Sequence, residues 1–233
     1  MITKKSVKRL ALDLGADLCG IAPIERFNGA PRGFHPCDIF PNTKSVVVIA
    51  KCIPIGSYDA SNPIPYTAAN ESIIQEVILI TCELCTKLEK TENVIAVPIP
   101  SEPYEYWNDE KQEGKGILSL KHAGYAAGLG VFGKNTLLTN RIYGNRIILG
   151  AVLLNIELES DPIAEYQFCT EHCRLCINVC PVQAINEMNV NQKLCRRNSG
   201  RVTKKGYFIN VCNECRRICP NRFGLRGENA NTH

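Results

Sequence analysis

The sequence predicts an α+β chain in two parts. Residues 1–158 form a larger α/β region, and residues 159–233 form a small cysteine-rich region. Three observations lead there. Apolar runs of helical and strand period alternate up to about residue 158. Of the 13 cysteines, eight lie beyond residue 168, in two runs that each end in Cys-Pro. Between the two parts, ELESDPIAEYQ is polar and reads as a linker.

The elements follow in order. Residues 3–15 place Val7, Leu10, Ala11 and Leu14 at helical spacing, with Gly15 as the stop. ADLCGIAPI is a short buried strand, and residues 27–43 are loop. SVVVIAKCI, dense in β-branched residues, is the clearest strand of this half. GSYDASNPIPY is expected as a long loop, with a long helix from about Thr67 to Lys90. Cys82 and Cys85 fall inside that helix and read as small apolar residues on one buried face. NVIAVPIP is a strand ended by prolines. SEPYEYWNDEKQEGKG is a polar, aromatic loop, suited to covering a site, and its Tyr104, Tyr106 and Trp107 are candidates to line one. ILSLKHAGYAAGLG is a helix of small residues, and Arg146–Asn155 is an apolar strand.

Composition narrows the function. The net charge is +4, yet the segment from Lys193 to Arg226 holds ten Lys or Arg and one acid, Glu214. Such a segment attracts RNA, an acidic redox partner or an anionic cofactor, or offsets the charge of thiolate-bound clusters. The last reading is preferred, because no aromatic-rich nucleic-acid module accompanies it. No apolar run reaches the roughly 18 residues of a membrane span. The N-terminus reads as an amphipathic helix rather than a signal peptide. A cytoplasmic chain without membrane contact is therefore expected.

The cysteines carry the strongest signal. FCTEHCRLCINVCP is followed by Cys195 and then VCNECRRICP. The second run is C-x2-C-x3-C-P, the ending used where two four-iron clusters share a chain and the last cysteine of each run serves the other cluster. The crossing assigns Cys169, Cys173, Cys176 and Cys219 to one 4Fe-4S cluster, and Cys180, Cys195, Cys212 and Cys215 to a second. Cys169 and Cys173 are spaced C-x3-C, so His172 between them is an alternative ligand at about one chance in ten. Two four-cysteine zinc sites are the runner-up. Taken alone, this region describes a dicluster electron carrier.

SLKHAGYAAGLGVFGKNTLL, with YGNRIILGAVLLN after it, resembles the epoxyqueuosine reductases and their short relatives. The matching residues are Ala127, Gly128, Leu129, Gly130, Gly133, Lys134, Asn135, Thr136 and Leu138, and HPCDIFPNTKSVVVIA resembles the family's lead-in to its first long strand. The resemblance implies a nitroreductase-like N-terminal domain that binds cobalamin base-off, followed by a ferredoxin-like double-cluster domain that relays electrons to cobalt. It implies cofactor contacts from Gly128, Gly130, Gly133, Lys134, Asn135 and Thr136, and His122 on the small-residue helix is either a further contact or a packing residue. The glycines would also form a helix cap and tight turn.

Where the family carries an acidic proton donor, this sequence reads EGKG, with Glu113 the nearby acid, and Tyr104 or Tyr106 is the alternative donor. The sequence given ends before the family's C-terminal tRNA-binding helical repeats. A low-potential donor such as ferredoxin or flavodoxin is the expected partner, with a separate corrinoid protein or tRNA as further ones. A flavin on the nitroreductase-like domain is the lower-ranked cofactor. A non-catalytic electron carrier that reduces a separate corrinoid or flavin protein is the alternative function.

Overall fold

The structure, a computed structural model, describes residues 2–103, 106–111, 113–187 and 189–225. The N-terminal part runs α1 (Lys4–Asp13), β1 (Leu18–Pro23), α2 (Pro36–Ile39), β2 (Ser45–Cys52), α3 (Ile55–Asp59), α4 (Pro63–Leu88) and β3 (Ala96–Ile99). It continues with β4 (Tyr106–Asn108), β5 (Glu113–Lys115), α5 (Leu120–Ala126), β6 (Val131–Phe132), β7 (Leu138–Thr139) and β8 (Ile147–Leu154). The C-terminal part holds α6 (Leu175–Asn178), α7 (Gln192–Ser199), β9 (Gly200–Val202), β10 (Phe208–Asn210) and α8 (Glu214–Arg217).

One four-stranded sheet, ordered β1-β2-β8-β3, organises the N-terminal part, and every pairing in it is antiparallel. Side chains alternate between the two faces of a strand. Val47, Ile49, Val152 and Leu154 pack with Val7 of α1 and Val77 and Leu84 of α4. Val46, Val48, Leu149 and Leu153 pack on the opposite face with Ala123 and Ala126 of α5. Both faces are covered, which is why β2 and β8 read as unbroken apolar runs rather than alternating ones. The result is an α+β fold with helices on both sides of an antiparallel sheet.

Local signals set the helix ends. Thr3 and Ser6 form a reciprocal capping box at α1. α4 begins at Pro63, not near Thr67 as the sequence pattern suggests. Asn62 caps it by accepting a hydrogen bond from Ile64 N at 2.9 Å. Proline in the first helical turn removes only an N–H that has no helical partner. The preceding loop likewise contains α3. Within α4, Cys85 is buried but Cys82 is exposed, so the pair does not share one buried face.

Two other expectations need correction. The segment 101–116 contains the hairpin β4–β5, whose three-residue strands are too short and polar to show a period. Residues 157–167 are not a free linker. Asp161 accepts from Lys8 Nζ and Ile21 N, both at 2.9 Å, and Arg26 donates to its carbonyl at 2.7 Å. The segment is a strap fastened across the N-terminal part.

The C-terminal part is made of short helices and one hairpin, with Phe168, Cys176, Ala184, Ile185 and Ile209 among its buried residues. It is tied to the N-terminal part by side chains that bond backbone. Asn135 Nδ2 donates to Cys215 O at 3.3 Å, Asn145 Nδ2 to Arg216 O at 3.0 Å and Tyr166 OH to Thr139 O at 2.8 Å.

Candidate functional site

Two groups of cysteines are brought together. Cys169, Cys173, Cys176 and Cys219 line one small cavity, closed by Gly133, Lys134 and Asn135. Cys176 arrives on α6, and Cys219 lies just beyond α8. Burial, then the neighbouring Cys169, Cys173 and Cys219, push the Cys176 thiol up to about 11. In the second group, burial and then Cys212 and Cys180 raise the thiol of Cys195. Cys215 is pushed up to about 11, by burial first, against a lowering by Arg216, with Cys195, Cys212 and Cys176 adding to the rise. Crowded, dry thiols resist ionising one at a time; a bound metal reverses this, since a ligating thiol is deprotonated outright. α6, which carries Cys176, packs against α8, which carries Cys215, so the two groups adjoin.

Among the described residues, no group of three or more His, Cys, Asp or Glu is placed to hold a single metal ion. A zinc ion draws four thiolates to within about 2.3 Å of one point.

Beside the second group lies an open cleft of about 730 Å³. Its lining includes buried Leu118, Leu138, Ile147 and Leu149, which belong to the core around α5 and β8. Among the described residues its charged lining is Lys115, Lys121, Arg196 and Arg216 against one carboxylate, Glu102. Burial, then Arg216, lowers the pKa of Lys121, whose ammonium donates to Thr136 O at 2.8 Å. Two lining groups, Ser101 Oγ and Asn145 Oδ1, are buried without a hydrogen-bond partner, and Asn145 is only 1% exposed. An open polar atom in a buried place is costly unless a ligand or water meets it. Cys195 forms part of the cleft wall, whereas none of the first group of cysteines reaches it.

The loop 101–116 helps to wall the cleft. Gln192 of α7 holds it, accepting from Gly114 N at 3.1 Å and donating to Gly114 O at 3.3 Å. Arg196 lies over the Trp107 ring, 5.2 Å from its centroid.

The residues singled out from the sequence separate into three sets. His122 lines the cleft. Its Nδ1 lies 2.7 Å from Ser119 Oγ, and its ring is 5.0 Å from that of Phe132. Partial desolvation, then Lys121, lowers its pKa. Gly133, Lys134 and Asn135 close the first cysteine cavity instead of lining the cleft. Thr136, at φ 62°, completes their turn and offers its carbonyl to Lys121.

Gly128 and Gly130 line neither space. A Cβ on Gly128, at φ +75°, would stand 2.1 Å from Pro162 O, and one on Gly130 2.1 Å from Thr139 O. They permit close backbone packing at these two points. Tyr106 and Glu113 sit on the β4–β5 hairpin and do not line the cleft. Tyr104 lies outside the described residues. Sequence reasoning passed over Lys121, Asn145 and Arg216. Arg216 had a signal, a cation inside a cysteine run; the other two look like ordinary helix and loop residues.

No family model matches the chain. Over 109 residues it is 31% identical to the epoxyqueuosine reductase of Lactococcus garvieae, spanning 42% of this chain and 30% of that protein. Over 206 residues it is 26% identical to the epoxyqueuosine reductase of Listeria monocytogenes, spanning 82% of this chain and 51% of that one. The chain thus spans from under a third to about half the length of these relatives. The structure of epoxyqueuosine reductase from Streptococcus thermophilus matches with a TM-score of 0.66 at 18% identity, covering 98% of this chain and 68% of that one. A reductive dehalogenase described in terms of B12-dependent dehalogenation matches at 0.55 and 17%, covering 93% and 29%. These likenesses show the fold. No helix among the described residues is long and apolar enough to cross a membrane.

Proposed function

We propose that this epoxyqueuosine reductase-like chain is an iron–sulfur oxidoreductase whose two 4Fe-4S clusters serve a corrinoid in the cleft beside Cys195. The carrying observation is that the two cysteine groups adjoin and the second forms part of the cleft wall. In this reading residues 1–158 are a nitroreductase-like corrinoid-binding domain and residues 159–233 a ferredoxin-like double-cluster domain. Cys169, Cys173, Cys176 and Cys219 hold the first cluster; Cys180, Cys195, Cys212 and Cys215 hold the second. Clusters supply single electrons at low potential, and a corrinoid supplies a cobalt centre that can use them on an organic substrate.

The chain's own residues fit those groups. Ser101 Oγ and Asn145 Oδ1 are buried polar atoms without a partner on residues that line the cleft. Leu118, Leu138 and Leu149 exclude water from the inner wall. Lys121 and Arg216 are basic side chains on the cleft wall, beside Cys195. His122, its pKa lowered, is neutral at pH 7 and can accept a proton at the cleft. A low-potential donor such as ferredoxin or flavodoxin would load the first cluster, which stands away from the cleft.

The test is anaerobic reconstitution with iron and sulfide, offering cobalamin and a flavin separately, followed by desalting. About eight irons per chain with a retained base-off corrinoid is the expected result. About eight irons with neither cofactor retained would make the chain an electron carrier for a separate protein. A retained flavin would replace the corrinoid in this account.

A further inference from the structure

Lys134 lies in the wall of the cavity shared by Cys169, Cys173, Cys176 and Cys219, outside the cleft. Its side chain is 20% exposed. The ammonium donates to Glu171 O at 2.5 Å, on the segment between Cys169 and Cys173, and stands 3.9 Å from a carboxylate oxygen of Glu187, whose closer partner is Arg174.

The backbone beneath it is held from several sides. Gly133 N donates to Leu137 O at 2.9 Å and Thr136 N to Gly133 O at 2.8 Å. Lys121 grips the Thr136 carbonyl, and Asn135 grips Cys215 O. A cation so fixed beside four thiolates acts on whatever they bind.

We infer that Lys134 sets the reduction potential of the first cluster, with Glu187 as its counterweight. This rests on the proposed cluster assignment. Four thiolates around an iron–sulfur core leave a net negative body, and reduction adds one electron to it without breaking a bond. A nearby cation stabilises the reduced form more than the oxidised one, so it raises the potential; a nearby carboxylate does the reverse. The cleft-wall cluster has different cations beside it, Arg196 and Arg216, so the two clusters are tuned separately.

The experiment is an anaerobic potentiometric titration with dithionite as reductant, followed by electron paramagnetic resonance. It uses the reconstituted full chain and compares wild type with Lys134→Gln, Lys134→Arg and Glu187→Gln. The signal absent from Cys169→Ser identifies the first cluster. In Lys134→Gln that cluster should become about tenfold harder to reduce, a fall of ~59 mV for one electron. Lys134→Arg should stay close to wild type. Glu187→Gln should move the same signal upward, a result that a merely loosened turn would not produce. Equal shifts of both clusters, or none in the first with both clusters assembled, would overturn the inference. Failure of wild type to assemble two clusters would instead remove the proposed function.

Discussion

Replacing Gly128 with alanine puts a carbon 2.1 Å from Pro162 O, at a residue whose φ is +75°. Ordinary contact begins near 3.4 Å, so the two backbones must part by more than 1 Å. The strap cannot give way freely, because Asp161 beside Pro162 is bound by Lys4, Lys8 and Ile21 N. Forced overpacking costs about 1–3 kcal/mol, and the left-handed backbone adds about 1 kcal/mol for a residue with a Cβ. A loss of roughly 3 kcal/mol corresponds to ~6–12 °C in the unfolding midpoint of a chain this size.

The assay is thermal unfolding of the reconstituted protein under anaerobic conditions at one scan rate, with corrinoid retention measured on the same samples below the transition. Gly29→Ala is the control, since nothing lies within 4 Å of its added carbon. It should stay within about 0.5 kcal/mol of wild type. Gly128→Ala should lower the midpoint and still retain corrinoid when folded. An unchanged midpoint with lost corrinoid would refute the packing argument and restore the glycine to the ligand's surface.

The other predictions concern ligation and charge. Cys215→Ser and Cys219→Ser lie in one run but should each lose a different cluster, leaving about four irons apiece with distinguishable resonance spectra; loss of the same signal from both would break the crossed assignment. Burial opposes ionisation of Asp161, but its bonds to Lys8, Lys4 and Ile21 N outweigh it and hold the pKa below the ordinary value. A depressed carboxylate stabilises the fold above its unfolded pKa of about 3.9 and loses that contribution as pH falls through the folded value. Asp161→Asn should therefore unfold earlier than wild type at pH 7, with the gap closing in acid; a gap independent of pH would contradict the ion pairing. Lys121→Gln should raise the pKa of His122, because one of the two influences that lower it is removed; the ring resonances in an NMR titration report it, and an unmoved or lower value would mean that Lys121 does not act on the ring.

Some of this site was legible in the sequence because its signals are local. The spacing of Cys173, Cys176 and Cys180, echoed at Cys212, Cys215 and Cys219, fixes which thiols can meet, and both groups assemble in the structure. The strands SVVVIAKC and IILGAVLL announce a twice-covered sheet through their unbroken apolar content. What packs against a residue is not local. Gly128 and Gly130 look alike whether a cofactor or the strap lies above them, and only the fold brings Pro162 and Thr139 there. Asn145 reads as a loop residue until Arg216 and the cleft surround it. The β4–β5 hairpin was hidden for another reason: its strands are three residues long and pinned by Gln192, far along the chain.

The central claim is that the cleft takes its electrons through the second cluster. Stopped-flow reduction of cleft-bound corrinoid, with reduced ferredoxin or flavodoxin as donor, tests it most directly in wild type and Cys212→Ser. Wild type should show cobalt reduction following cluster reduction. Cys212→Ser, retaining corrinoid and the first cluster, should reduce cobalt far more slowly. Equal rates in the two proteins would contradict the account.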